Sequence, residues 1–475
     1  MKKRRNVVRV NPKVLSICSS LLVFFGCGGD GGTESADPAQ MDMSVPARMD
    51  RGTPPDRSNP WTTGTVESGG TGQQPSLAVA GNGVIGVTYF GTSGTSGEPC
   101  TEVGDEAGVP NKTTWTLRYA TFSGGDWRAE TIHEPLLVGT PVGASLAFDA
   151  DHTPHVATMT GEPIELLRYC GANDVGLLTP DTDGWALETV VAESNEAMSG
   201  MPASDFGSVV GYWPGLAFDR TGQPAIAYRD VHGGGLQGDD LTRADMEFAW
   251  RRDGGWENFA VDVGEGAGDF NQVAFDTENQ PVILYSNPVE QQSADQLGLW
   301  VTRSTDGGES WEKTRLYEGK TSERPSMAVH PESGDIWIAF FNVEDGRPYV
   351  AHWTAGTAFS EWSLTALGDA RFVEGEHPSI AIDESGFVAV VWYRCLRVGR
   401  GTTCDPQDDA VVFAWFVDDE WLTEVIDNGE MGLCGRYPNL KFGADNKAIV
   451  VYQCAVRSGD SFEFELRYAR RDALR

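Results

Sequence analysis

Seven copies of one unit run through this chain, and that repeat constrains the fold more than any other feature of the sequence. Each copy opens on Pro or a small residue, followed by a small residue, an apolar residue, Ala, an apolar residue and a turn. An apolar strand ending in an aromatic completes it. The copies start at Pro75 (PSLAVAGNGVIGVTYF), Ala144 (ASLAFDADHTPHVATM), Pro214 (PGLAFDRTGQPAIAYRD), Asn271 (NQVAFDTENQPVILYSN), Pro325 (PSMAVHPESGDIWIAFF), Pro378 (PSIAIDESGFVAVVWYR) and Pro438 (PNLKFGADNKAIVVYQC). Each reads as two short strands joined by a tight Asp, Gly or Asn turn, because those residues tolerate the backbone angles a hairpin needs. Small side chains alternate with bulky ones in the first strand, as in Ser326-Met327-Ala328-Val329, which suits an innermost strand where sheets crowd round an axis.

A second hairpin follows every copy, and its last strand begins with Trp: Trp127, Trp185, Trp256, Trp311, Trp362 and Trp421. The seventh unit ends on a third strand, Phe464-Glu465-Leu466-Arg467-Tyr468-Ala469, and its missing Trp strand stands at the other end of the repeat region, Trp61-Thr62-Thr63-Gly64-Thr65-Val66. The pattern predicts an all-β fold, a seven-bladed β-propeller of four-stranded antiparallel blades over residues 60–475. The last blade is closed by the N-terminal strand, so that no sheet edge stays open.

The N-terminus carries Lys2, Lys3, Arg4 and Arg5 and then an apolar run from Val14 to Phe25. That order is an export signal, too short and wrongly flanked for a spanning helix. Phe24-Phe25-Gly26-Cys27 resembles the lipobox of bacterial lipoproteins, which implies a signal peptide over 1–26 and acylation of Cys27. An ordinary signal peptide with a buried free Cys is the alternative. Residues 27–59, rich in Gly, Asp, Pro, Ser and Met, lack apolar periodicity and read as a disordered tether. The expected location is therefore the cell envelope, exported and lipid-anchored to the outer membrane or cell surface, with the anchor the only membrane contact. Of 8 Cys, Cys18 leaves with the signal and Cys27 takes lipid. The even remainder in an exported protein favours disulfides. Sequence proximity suggests Cys395 with Cys404 and Cys434 with Cys454, leaving Cys100 with Cys170, among about fifteen connectivities that six Cys allow. A net charge of −33 excludes nucleic acid as a partner and otherwise serves solubility of what is expected to be a monomer.

The turn Ser304-Thr305-Asp306-Gly307-Gly308-Glu309-Ser310-Trp311 fits Ser-x-Asp-x-Gly-x-x-Trp. It resembles the Asp-box, or BNR repeat, of the sialidase and neuraminidase superfamily, with Ser304, Asp306, Gly308 and Trp311 in the structural positions. Arg252-Asp253-Gly254-Gly255-Trp256 and Asp181-Thr182-Asp183-Gly184-Trp185 are worn versions. In that superfamily the motif is structural, and the resemblance implies a hairpin in which Asp caps backbone N–H groups, Gly takes positive φ and Trp packs between blades. It does not extend to an active site, since the Arg-Ile-Pro-like motif is absent from this sequence.

Loops entering the first strand and leaving the second share one rim of a propeller. There the sequence places Glu323-Arg324, Glu376-His377, Arg436-Tyr437, Tyr228-Arg229-Asp230 and Tyr393-Arg394. Charged and aromatic groups round a concave mouth suit a glycan or an anionic small molecule; inter-blade salt bridges are the alternative use of the same residues. The binding candidates are accordingly Arg229, Asp230, Glu323, Arg324, Glu376, His377, Tyr393, Arg394, Arg436 and Tyr437, with Arg324, Arg394 and Arg436 expected to face one arc. Glu323 and Glu376 are the carboxylates available for glycoside chemistry. His152-Thr153-Pro154-His155 lacks a third metal ligand, and Gly319-Lys320-Thr321 lacks the first glycine and the helix of a phosphate loop. Neither Gly-x-Ser-x-Gly nor His-Glu-x-x-His occurs. No cofactor or metal is expected and no catalytic residue is assigned. The leading function is binding of a glycan, peptide or partner protein at the channel mouth. The alternatives are a sialidase-like glycosidase or polysaccharide lyase, and a structural member of an envelope assembly.

Overall fold

The computed structural model describes residues 60–475 apart from 96–112, 139–142, 161, 166–167, 171–173, 193–208, 234–239, 264–266, 288–296, 322–323, 399–403, 430–432, 460 and 472–475. Seven four-stranded antiparallel sheets form the propeller, and a two-stranded hairpin, Glu162–Glu165 with Arg168–Cys170, branches from the second blade. The innermost strands of blades 1 to 7 are Thr71–Val79, Ala144–Phe148, Val209–Phe218, Asp269–Phe275, Ser326–Val329, Phe372–Ile382 and Cys434–Phe442. Blade 7 takes its outermost strand, Trp61–Glu67, from the N-terminal side of the repeat, hydrogen-bonded to Ser461–Arg471 with Trp61 opposite Arg471 and Thr65 opposite Arg467. The expected closure is the observed one.

The repeated sequence produces repeated chemistry. In blades 2, 3, 4 and 6 the Asp that ends the inner strand turns its Oδ1 onto two backbone N–H groups of the hairpin. Asp219 accepts from Thr221 and Gln223, and Asp383 from Ser385 and Phe387, all at 2.8–2.9 Å; Asp149 and Asp276 do the same. The Ser304–Trp311 turn is built likewise. Asp306 Oδ1 accepts from the Ser310 N–H at 2.9 Å, Ser304 Oγ accepts from the Gly308 N–H at 2.7 Å, and Gly308 sits at φ +99°. Trp311 packs on Phe248 of the preceding blade at 5.7 Å.

Apolar side chains between successive blades form the core in sectors. One sector joins blades 7 and 1 through Leu77, Val87, Tyr89, Val451 and Leu466. Polar links fasten the periphery. The indoles of Trp61, Trp185 and Trp256 donate to Glu424, Glu130 and Glu188, each on the outermost strand of the blade before, at 2.7–3.2 Å. A tyrosine clamp recurs at three seams: the hydroxyls of Tyr89, Tyr285 and Tyr452 donate to Glu67, Asp262 and Asp427 at 2.6–2.7 Å. Arg118, Lys313 and Arg467 pair with the same carboxylates.

Cys434 and Cys454 stand opposite each other on the two innermost strands of blade 7 and form a disulfide. Cys395 is also disulfide-bonded. Cys27 and Cys100 lie outside the described residues, as do the side chains of Cys170 and Cys404. Since Trp61–Glu67 completes the ring, deleting residues 60–68 removes the Glu67 clamp and the Trp61 link with it. That truncation is expected to lower the melting temperature of the entire domain in a single cooperative transition. A truncated protein that melts like the intact one overturns the closure.

Candidate functional site at the channel mouth

The residue just before each inner-strand template is held in the left-handed region in all seven blades. These residues are Gln74 (φ +49°), Gly143 (+88°), Trp213 (+50°), Phe270 (+56°), Arg324 (+64°), His377 (+52°) and Tyr437 (+51°). In five blades the next residue is Pro, which disfavours the right-handed helical region for its predecessor, and in all seven the strand register shifts near this point or starts after it. Only one of the seven is glycine. A bulky residue in this region costs of order 1 kcal/mol or more, and such strain concentrates where a side chain must be aimed for a purpose.

The strained residues build the mouth. Trp213 and Phe270 lie 4.3 Å apart centre to centre, as do His377 and Tyr437. Trp213 also lies over Gly143, where an added Cβ would come within 2.9 Å of the indole. Arg324 in blade 5 reaches blade 1, donating to the Pro75 carbonyl at 3.2 Å and to Gln74 Oε1 at 3.4 Å, with its guanidinium 5.7 Å from the Tyr437 ring. Gly143, Trp213, Phe270, Arg324 and His377 of this ring, with inner-strand residues of all seven blades, line an axial cavity of about 180 Å³.

Of the sequence candidates, Arg324, His377 and Tyr437 meet here. Trp213, Phe270 and Gln74, which sequence reasoning passed over, complete the ring; their shared place before the template start was the available signal. The other candidates occupy the seams. Arg229 is buried in an ion pair with Asp269 of blade 4. Asp230 is 1 % exposed and faces Asp245 across the strand pair. Arg394 lies over the Phe372 ring at 4.5 Å. Arg436 lies 5.9 Å from the Tyr393 ring centre, in the field of Asp409. Glu376 is half-buried opposite Tyr393, and Glu323 lies outside the described residues. The three arginines thus engage different partners: blade 1, an aromatic ring, and the Tyr393–Asp409 pocket. Tyr228 and Glu247, a cross-strand pair in blade 3, are 0 % and 1 % exposed, out of reach of any substrate. Burial, with Asp230 and Asp245 close by, pushes the Glu247 carboxyl well above the usual carboxylate range.

No metal centre emerges from the described residues. The grouping of Asp427 with Cys434 and Cys454 has its two sulfurs joined in the disulfide, and His155 of the His-Thr-Pro-His turn contacts Asp149 at 3.1 Å.

Asp409 is the carboxyl whose protonation should be felt in solution. Burial pushes it up to about 7, with the Tyr393 hydroxyl and the Arg436 guanidinium pulling the other way. Between roughly pH 4 and pH 7 the unfolded chain gives up this proton while the native protein keeps it, so stability falls as pH rises through that window, by roughly 4 kcal/mol at most. Asp409→Asn is expected to melt with wild type near pH 4 and above it at pH 8. Identical pH dependence of the two melting temperatures rules out this assignment.

No family model matches the chain, and no curated protein matches it. Among solved structures, the polysaccharide lyase Uly1 is similar over 84 % of this chain and 90 % of its own, at 11 % identity and a TM-score of 0.47. The NanB sialidase from Streptococcus pneumoniae is similar over 87 % of this chain and 71 % of its own, at 11 % identity and a TM-score of 0.41. An α-L-arabinanase of Penicillium chrysogenum is similar over 78 % and 99 %, at 16 % identity and a TM-score of 0.42. Likeness this distant assigns no activity, and the seven-bladed architecture rests on the strand pairing itself.

Proposed function

We propose that this chain is an extracytoplasmic propeller that binds a ligand at its channel mouth, with a glycan as the class the mouth suits best among glycan, peptide and partner protein. The observation that carries this reading is the left-handed ring: six non-glycine residues accept backbone strain and direct four aromatic or imidazole rings, one guanidinium and one amide to one place. Aromatic faces take the C–H faces of sugars, and Arg and Gln supply directional donors for hydroxyl or acidic groups. The second strand of each blade ends and its third begins on this same rim, where binding loops belong.

A second reading, a sialidase-like glycosidase or polysaccharide lyase, draws on Asp409. A carboxyl titrating near neutrality beside Glu376 and Arg436 has the acidity a general acid needs. Its exposure of 1 % counts against contact with substrate. Asp-box membership of the Ser304–Trp311 turn also belongs to this proposal.

A glycan array run beside a panel of chromogenic glycosides separates the two readings. Under the binding proposal Trp213→Gly and Arg324→Gly each weaken the glycan hit at least tenfold. Glycine adopts positive φ without strain, so the variants should keep most of their thermal stability. Loss of stability with unchanged affinity would falsify the mouth as the site, and turnover of a chromogenic glycoside would favour the enzyme.

The anchor is a proposal of the same kind. Acylated Cys27 would hold the chain to the outer membrane or cell surface, since stable anchoring takes two acyl chains or more. Cys27→Ser is expected to release protein into the soluble fraction. Wild type that is already soluble and unacylated refutes the anchor.

A further inference from the structure

The column of residues three places after the template start is Ala in six blades: Ala78, Ala147, Ala217, Ala274, Ala328 and Ala381. In blade 7 it is Lys441. This lysine reaches the surface of the axial cavity. Its side chain is exposed to the space of that cavity, while the protein wall around the space holds its ammonium below the ordinary lysine value. Among the described residues nothing pairs with it by hydrogen bond or ion pair. A cleft lined by one sign of charge focuses the field and draws counter-ions into it.

The lining of the cavity is as unusual as the lysine. The chain has 69 acidic residues and a net charge of −33, yet among the described residues no Asp or Glu lines this cavity, while Lys441, Arg324 and His377 do. Ser76, Ser145, Ser326 and Ser379 add hydroxyls to the same wall. Each already accepts a backbone N–H of the next blade at 3.0–3.1 Å, so its hydroxyl hydrogen is left to donate into the cavity. The interior is therefore a cationic, donor-rich chamber inside an anionic shell. At about 180 Å³ it is smaller than pockets that take drug-sized ligands, of about 300 Å³ and above. It suits a compact group.

We infer that the axial cavity is an oxyanion-binding site, with Lys441 as the counter-charge and the inner-strand serines as hydrogen-bond donors. The oxyanion is either a free small anion or the acid group of a ligand seated at the mouth. The cavity shares Arg324 and His377 with the mouth, but the proposed counter-charge, Lys441, and the serine donors lie outside the left-handed ring, so the inference can stand where the mouth reading fails.

Isothermal titration at fixed ionic strength tests it, with inorganic phosphate, acetate and a glucuronate-terminated oligosaccharide as probes, on wild type, Lys441→Ala and Lys441→Met. Alanine is what the other six blades carry, so the fold should be kept, and melting curves check this. Wild type is expected to bind at least one probe at least tenfold more tightly than either variant, and to lose that binding as rising pH deprotonates the lysine. Binding of phosphate or acetate identifies a free anion; binding of the glucuronate ligand alone identifies an acid group delivered from the mouth. Equal affinity in wild type and Lys441→Ala, or no binding of any probe by wild type, overturns the inference. Failure of the mouth reading looks different: Trp213→Gly would leave glycan binding intact while phosphate and acetate still depended on Lys441.

Discussion

Round the axis, the side chain just after each template start accepts the backbone N–H of an inner-strand residue in the next blade. Ser76 takes Leu146, Ser145 takes Leu216, Gln272 takes Met327, Ser326 takes Ile380, Ser379 takes Leu440, and Asn439 returns to Leu77 of blade 1. These N–H groups belong to edge strands, which have no neighbour on the axial side and would otherwise need water. In six blades one polar atom thus satisfies a donor of the neighbouring sheet edge and ties the two blades together. The exception is Gly215. There blades 3 and 4 come so close that an added Cβ would sit 2.7 Å from the Asn271 carbonyl oxygen, and contact of backbones replaces the side-chain link.

The mouth follows from this ring. Once the serine column is fixed against the next blade, the chain arriving from the periphery must bend sharply to enter the strand. The left-handed residue makes that bend, and its side chain lies where seven equivalent positions converge. Six positions carry something larger than glycine, although glycine would make the bend at less cost. Stability alone does not account for the choice of Trp, Phe, Arg, His and Tyr there.

The propeller was legible because repetition multiplies a weak signal. No single hairpin in this chain identifies itself, but seven aligned ones with a Trp strand displaced to the front leave one closed arrangement. The site was legible only in part. Arg229, Tyr393 and Arg394 were placed on the correct rim, yet they lie inside second strands, where alternation sends successive side chains into opposite seams. Arg229 consequently meets Asp269 while its neighbours Tyr228 and Asp230 turn to the other face. Arg324, His377 and Tyr437 precede the strand and are aimed by the bend. Trp213 and Phe270 occupy the same place, but carry no charge to single them out. Lys441 stands out in the sequence only when the seven copies are compared column by column, and its meaning needed the cavity, because nothing in a linear sequence says that a position faces an axis.

The pairing of Trp61 with Arg471 has a mechanical consequence. Both ends of the folded ring leave the same corner of blade 7, side by side on antiparallel strands. Tension between those ends would load the Trp61–Glu67 strand one hydrogen bond at a time, as a zipper is opened, instead of straining all of its bonds at once. A force too small to shear a strand from the middle of a blade would suffice to peel this one, with the indole link from Trp61 to Glu424 the first contact to yield and the clamp at Glu67 the last.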